Sequence, residues 1–328
     1  MAIPPHQPVL PFRHPHLSTI YPTLFRRVPP VAYERERITT PDGDFLDMDW
    51  SRVGSARAAL VIHGLEGDSH RAYMQGMVRA LNRRGWDVAA LNLRGCSGTP
   101  NRKLRFYHSG ATEDVETAVM HVHESSYRTL ALVGFSLGGN LVLKYLGERG
   151  TAVPYAVQAA VALSVPVDLL GCADALERPG NVIYRWRFLR QLRAKVEAKA
   201  AQFPDRISTA AFAHIRSLRD FDEHYTAPIH GFASATDYYT RVSSLPLLPS
   251  LTVPTLLLNA ANDPFLSASC YPEAVAARHA ALTLRTPKYG GHVGFVQANT
   301  TGEYWSETIA GLFLQEVLDA APVSVARP

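Results

Sequence analysis

The sequence predicts an α/β protein: a mostly parallel central sheet with helices on both faces and an inserted helical cap. Three observations carry that expectation. Short apolar runs alternate with segments of helical periodicity, one long strand-free stretch interrupts the alternation, and a glycine-rich turn, Gly134-Phe135-Ser136-Leu137-Gly138, joins an apolar run to a helical segment. With 328 residues, 47% of them hydrophobic, the chain is long enough for one large domain with an insertion.

The elements follow in order. Residues 34–38 and 45–50, separated by Pro41-Asp42-Gly43, read as an antiparallel hairpin. Residues 58–63 (AALVIH) form a short apolar run that ends at a glycine, as a strand buried on both faces does. A helix is expected over 72–84, stopped by Gly85, then a strand over 86–92 and a helix over 111–125. The run 130–135 is the next strand, 140–148 its helix and 156–164 a fourth parallel strand. From 165 to 244 the chain carries Arg/Lys-rich helical segments and aromatic loops, a length that marks a lid or cap rather than a plain connection. Strands resume at 254–259 and 282–285 around a helix at 269–279; the last helix covers 304–318, and 320–328 reads as a frayed tail. The expected organisation is therefore a core of residues 1–164 and 245–328, with 1–33 as an extension packed on it, and a cap of residues 165–244.

Composition excludes several function classes. The net charge of +4 comes with no nucleic-acid-binding signature, and the one dense basic stretch, 184–199, reads first as a solvated helix face. Cys96, Cys172 and Cys270 are an odd number without C-x-x-C spacing, which argues against a disulfide scaffold and a zinc site. His6, His14 and His16 lack neighbouring acids or cysteines and read as surface or packing residues, so neither metal nor cofactor is expected. The proline-broken start has no signal-peptide core, and no run of about 18 apolar residues occurs. A cytoplasmic location is the expectation.

The chemistry lies in the loops. Gly134 and Gly138 flank Ser136 in a G-x-S-x-G turn, where small neighbours let a strand fold sharply into a helix and lift the hydroxyl above the sheet. A serine needs a base to take its proton. His292, in the glycine-flanked loop 289–295 after the last strand, fits the chain order better than His224, His230 or His279. Asp263, just after the strand PTLLLN, is the favoured carboxylate to orient that imidazole, with Asp168 as the rival. The backbone N–H groups of Leu137 and Leu65 are the candidate oxyanion donors, Leu65 because His63-Gly64-Leu65-Glu66-Gly67 follows the first parallel strand. His63 and Asp68 also match a weak H-x-x-x-x-D acyltransferase pattern. Cys96 has no histidine placed for it and is not expected to act as a nucleophile.

Several separated blocks, HLSTIYP (16–22), HGLEGDSH (63–70), NLRGCSGTPN (92–101), YHSGATEDV (107–115), GFSLGGN (134–140), NDPF (262–265) and GGHVGF (290–295), resemble the α/β hydrolases. The likeness is narrower to the YheT-like branch of carboxylesterases, related to eukaryotic abhydrolase-domain lipases. That resemblance implies the α/β-hydrolase fold, the triad Ser136, Asp263 and His292, and hydrolysis of carboxylic esters, with some relatives acting on lipids or transferring acyl groups to alcohols. The resulting expectation is a serine carboxylic-ester hydrolase for short- to medium-chain acyl esters, working through an acyl-enzyme on Ser136. A lipase, phospholipase or alcohol acyltransferase using the same triad, and a non-catalytic binding protein on the same scaffold, are the alternatives. The partner expected is a small-molecule ester or lipid, with neither nucleic acid nor an obligatory protein. The cap aromatics Tyr184, Trp186, Phe188, Phe212, Phe221, Tyr225, Phe232, Tyr238 and Tyr239 suit an acyl-chain pocket or, for most of them, the cap's own small core. The basic cap residues Arg185, Arg187, Arg190, Arg193, Lys195 and Lys199 suit weak contact with anionic lipid. Arg94, Gly95 and Cys96 are candidates for one wall of the site, and His108 for a brace of the loop that follows the strand at 86–92.

Overall fold

The computed structural model describes residues 4–125, 127–299 and 301–320. Helix α1 (Pro15–Phe25) opens the chain; β1 (Glu34–Thr39) and β2 (Phe45–Ser51) form the hairpin, and β3 (Arg57–Ile62), α2 (Ala72–Asn82) and β4 (Asp87–Asn92) follow. Then come α3 (Thr112–Glu124), β5 (Thr129–Phe135), α4 (Leu137–Arg149) and β6 (Val157–Leu163). Five α-helices lie between β6 and the next strand: α5 (Leu169–Leu176), α6 (Val182–Gln202), α7 (Leu218–Phe221), α8 (Ala227–His230) and α9 (Ala235–Val242). The order closes with β7 (Thr255–Leu258), α10 (Glu273–Ala276), β8 (Leu282–Arg285) and α11 (Trp305–Ala320).

The strands form one eight-stranded sheet in the order β1-β2-β4-β3-β5-β6-β7-β8. β1 with β2 and β2 with β4 are antiparallel, and every other pair is parallel. Apolar side chains on both faces explain the unbroken runs in the sequence. Leu60, Ile62, Leu130 and Leu132 pack under α3 and α4, whereas Ala59, Val61, Ala131 and Val133 pack under α2 and α11. A separate cluster centred on Leu192, Val196, Leu218 and Phe221 holds α6 and α7 together. Among the described residues no helix is long and apolar enough to cross a membrane.

Two local readings change. The helix expected over 269–279 is a 3-10 turn at Ala268–Cys270 and the single turn α10, because Pro272 between them has no N–H to continue a helical ladder. The helix expected from 140 starts at Leu137, directly behind Ser136. In the N-terminal extension α1 begins with Pro15 in its first turn, where a missing N–H costs nothing, and tolerates Pro22 inside. Of the tail expected over 320–328, residues 321–328 lie outside the described residues.

Candidate active site

Ser136 sits between β5 and α4 with φ +52° and ψ −117°, a strained conformation for a non-glycine residue. The sequence can fold this way because a Cβ on Gly134 would lie 2.6 Å from the Gly139 Cα and one on Gly138 2.5 Å from the His63 carbonyl oxygen. Only glycine lets the backbones approach so closely.

His292 reaches Ser136 from the loop after β8. Its Nε2 lies 2.9 Å from the Ser136 Oγ and its Nδ1 2.8 Å from Asp263 Oδ2, so the hydroxyl donates to the ring and the ring donates to the carboxylate. Asp263 is 6% exposed, and its other oxygen accepts the Phe265 N–H at 2.9 Å. The Phe265 ring lies against the imidazole, 4.3 Å between centroids. Asp168, the rival carboxylate, is placed elsewhere: it caps α5 by accepting the Gly171 N–H and also accepts the Ser269 hydroxyl at 2.5 Å. The rival histidines are turned away too, His230 to the Thr226 and Phe106 carbonyls and His279 to the Pro249 carbonyl.

The loop around His292 is held from four directions. Thr19 Oγ1 accepts the His292 N–H at 2.9 Å, Asn262 Oδ1 the Gly291 N–H at 3.0 Å and Ser164 Oγ the Val293 N–H at 2.9 Å. Ser18 Oγ donates to the Gly290 carbonyl at 2.8 Å. Inside α1, Pro22 offers no N–H to the Ser18 carbonyl, and Gly294 lies directly against that oxygen, where a Cβ would not fit.

The 63–67 loop lies beside the serine, with a Cβ on Gly64 falling 3.2 Å from the Ser136 Cβ. Neither the Leu65 nor the Leu137 backbone N–H makes a hydrogen bond among the described residues. Glu66, at φ +50°, is pinned by Tyr107, whose hydroxyl accepts the Glu66 N–H at 2.7 Å and donates to its carboxylate at 2.6 Å. Lys195 of α6 reaches the same carboxylate at 3.4 Å. His63 is fully buried, Nδ1 bonded to the Gly64 carbonyl and Nε2 accepting the Leu93 N–H; burial pulls its pKa down to about 4. A neutral ring with both nitrogens occupied braces the loop, which removes the H-x-x-x-x-D reading.

An apolar cavity of about 120 Å³ opens onto Ser136 and His292, with Leu65, Phe106, Leu169, Leu176, Phe188 and Leu192 in its wall. Phe188, Phe221, Tyr238 and Tyr239 of the aromatic set do line it, whereas Phe212 and Tyr225 stack on each other and Trp186 is exposed. Among the polar residues that line the cavity is Asp222, which accepts from Thr226 at 2.5 Å and Tyr239 at 2.6 Å; burial pushes its pKa up to about 6.

Three expectations are corrected here. Arg94 is not a wall of the cavity; its guanidinium is buried among Asp42, Asp44 and Asp114 at 2.7–3.1 Å, where unpaired charges would be costly. Nor is Cys96 in that wall: it lies 3.4 Å from the Lys195 Nζ, and burial pushes its thiol up to about 12, away from a thiolate, in keeping with its not being expected as a nucleophile. Lys195 and Lys199 leave the basic surface of α6: Lys195 donates to the Gly95 carbonyl and Lys199 to those of Asn101 and Lys103.

Sequence reasoning missed Ser18, Thr19 and Ser164 as supports of His292, and Tyr107 as the clamp on Glu66. His108 does serve as a brace, its Nδ1 accepting the Gly110 N–H and its ring 4.6 Å from that of His230. No local pattern marks such residues, since their partners lie far away in sequence. Among the described residues no group of three or more His, Cys, Asp or Glu is arranged to hold a metal ion.

The family model for the alpha/beta hydrolase fold matches residues 59–298. "Putative esterase YheT" of Escherichia coli (strain K12) is 37% identical over 297 residues, covering 88% of this chain and 86% of that protein. "Phospholipase ABHD3" of Homo sapiens is 31% identical over 281 residues, covering 82% and 68%. Among solved structures, the Pyrococcus furiosus esterase Pf2001 superposes with a TM-score of 0.57 at 17% identity, over 87% of this chain and 93% of that one. That likeness speaks for the fold. Taken with the sequence relatives, it leads to one conclusion: this chain belongs to the α/β hydrolase family, in the esterase- and lipase-like branch that includes YheT and ABHD3.

Proposed function

We propose that the protein is a serine carboxylic-ester hydrolase for short- to medium-chain acyl esters, with Ser136 as nucleophile, His292 as general base and acid, and Asp263 as the group that orients the imidazole. The observation that carries this reading is the unbroken hydrogen-bonded line from Ser136 Oγ through His292 to Asp263, ending at the mouth of an apolar cavity. His292 takes the hydroxyl proton as Oγ bonds to the ester carbonyl carbon. The oxyanion that forms is held by the Leu65 and Leu137 N–H groups, which have no competing acceptor. Collapse expels the alcohol, to which His292 returns the proton; water then repeats the cycle on the acyl-enzyme and frees the acid. Asp263 orients and stabilises the transient imidazolium.

Residues 165–244 act as a cap over this centre. Its helices supply Phe188, Leu192 and Phe221 to the cavity, whose apolar wall suits an acyl chain. The test is Ser136→Ala with p-nitrophenyl butyrate and with a fluorophosphonate probe. The expected outcome is loss of turnover and of labelling, with the thermal unfolding temperature unchanged. Undiminished turnover overturns the reading, and a chain-length series of esters on the unmodified protein sets the acyl preference.

A further inference from the structure

Most large apolar side chains that remain exposed are concentrated in two stretches of the chain. Among the described residues, nine of the eleven lie within residues 9–25 or 182–186. On α1, Leu17, Tyr21, Leu24 and Phe25 recur at i, i+4, i+7 and i+8 and point outward, at 40–64% exposure, while Ser18, Thr19 and Pro22 are buried. The helix is therefore inverted: its small and polar face holds the His292 loop and its apolar face meets solvent. A helix surrounded only by water would be patterned the other way.

The first turns of α6 continue the surface. Val182, Ile183 and Trp186 are 49%, 64% and 61% exposed. The two helices touch, His16 Nδ1 lying 3.0 Å from the Tyr184 hydroxyl. Their charge is one-sided. No Asp or Glu occurs before Glu34 or between Glu177 and Glu197. Arg13, Arg27, Arg178 and Arg190 are exposed, and no ion pair joins them to an acid among the described residues.

We propose that the outer faces of α1 and the start of α6 together form a docking surface for an anionic lipid bilayer. Apolar side chains enter the acyl boundary while the arginines meet lipid phosphates, the arrangement by which interfacial helices bind membranes. A second copy of the chain fits less well. In a two-fold dimer this face would meet itself, setting arginines against arginines with no acid to receive them. The surface adjoins the site: Thr19 holds the His292 backbone, and the Tyr184 ring lies 4.7 Å from that of Phe265, which covers the imidazole. Docking places the cavity beside the lipid from which an ester would come.

The inference does not depend on the proposed hydrolysis, and its test reads binding. Trp50 and Trp86 are each 1% exposed and Trp305 is 4%, so of the four tryptophans Trp186 alone is exposed and reports on this surface. The full chain is mixed with sucrose-loaded vesicles of phosphatidylcholine alone or with added phosphatidylglycerol, at low and high salt. Sedimentation with the anionic vesicles, weakened by salt, is expected, with a blue shift of tryptophan emission and its quenching by brominated lipid. Leu24→Glu with Ile183→Glu should weaken partitioning about tenfold while turnover of p-nitrophenyl butyrate stays unchanged. Absence of sedimentation by the unmodified chain overturns the proposal. So does equal partitioning of the double variant, or a dimer in solution that the same substitutions dissociate without any vesicle binding. Quenching in the unmodified chain stands as a test even where the variant folds poorly.

Discussion

Replacing Gly138 by alanine puts a methyl group where two carbonyls already stand. Its Cβ falls 2.5 Å from the His63 carbonyl oxygen, with the Ile62 carbonyl closer still, whereas ordinary contact begins near 3.4 Å. The obstacles are backbone atoms, so no side chain can swing aside, and the start of α4 must retreat from the end of β3 by about 1 Å. Ser136 and the Leu137 N–H travel with α4, and the Leu65 N–H stays with the loop after β3. Overpacking of this kind costs about 1–3 kcal/mol of stability. A misplacement of about 1 Å among reacting groups costs about a hundredfold in rate. Gly147→Ala, near the other end of α4, is the matched control. Its Cβ meets the Leu247 Cβ at 2.7 Å and the Leu247 carbonyl at 2.8 Å, far from the serine. Steady-state kinetics on p-nitrophenyl butyrate beside thermal unfolding separate the two effects. Both variants should melt earlier, and only Gly138→Ala should lose kcat. An equal kcat in the two variants would refute the view that this junction sets the geometry of the site.

Thr19→Val keeps the side-chain shape but removes the acceptor of the His292 N–H, which leaves a buried donor unpaired at a cost of about 1–3 kcal/mol. The expected result is a kcat lower by about tenfold or more with KM little changed, measured on a soluble ester; an unchanged kcat would mean that α1 merely packs there. Asp222 gives a pH signature. Burial raises its folded pKa to about 6 from 3.8, so the folded state holds the proton more tightly, and stability falls as pH rises from about 4 through 6. At about 1.4 kcal/mol per pKa unit the fall is at most about 3 kcal/mol, and the partial exposure of Asp222 makes it smaller. Melting curves between pH 4 and 7.5 should show the decline flattened in Asp222→Asn relative to the unmodified protein, and parallel curves would exclude Asp222 as its source.

The parallel strands were legible because apolar runs such as AALVIH and LALVGF must be covered on both faces. Ser136, His292 and Asp263 were legible because nucleophile, acid and base each follow a strand in a fixed chain order, and the structure brings those three side chains together. Where the sequence stayed silent, the reason is distance. Thr19 and His292 are 273 residues apart, and nothing near Thr19 announces a backbone N–H arriving from the far end of the chain. Lys195 and Lys199 misled for a related reason: a lysine counted as surface charge can bend inward when carbonyls such as those of Gly95 and Asn101 await it. The helix expected over 269–279 failed more simply, at Pro272.

That long-range bond also bears on biosynthesis. Synthesis completes α1 well before residues 290–295, the loop it must grip, have been made. Until then the serine elbow can fold with β5 and α4, but without the imidazole that the structure sets beside Ser136. The hydrogen-bonded line of Ser136, His292 and Asp263 therefore forms only after α1 and that distant loop meet.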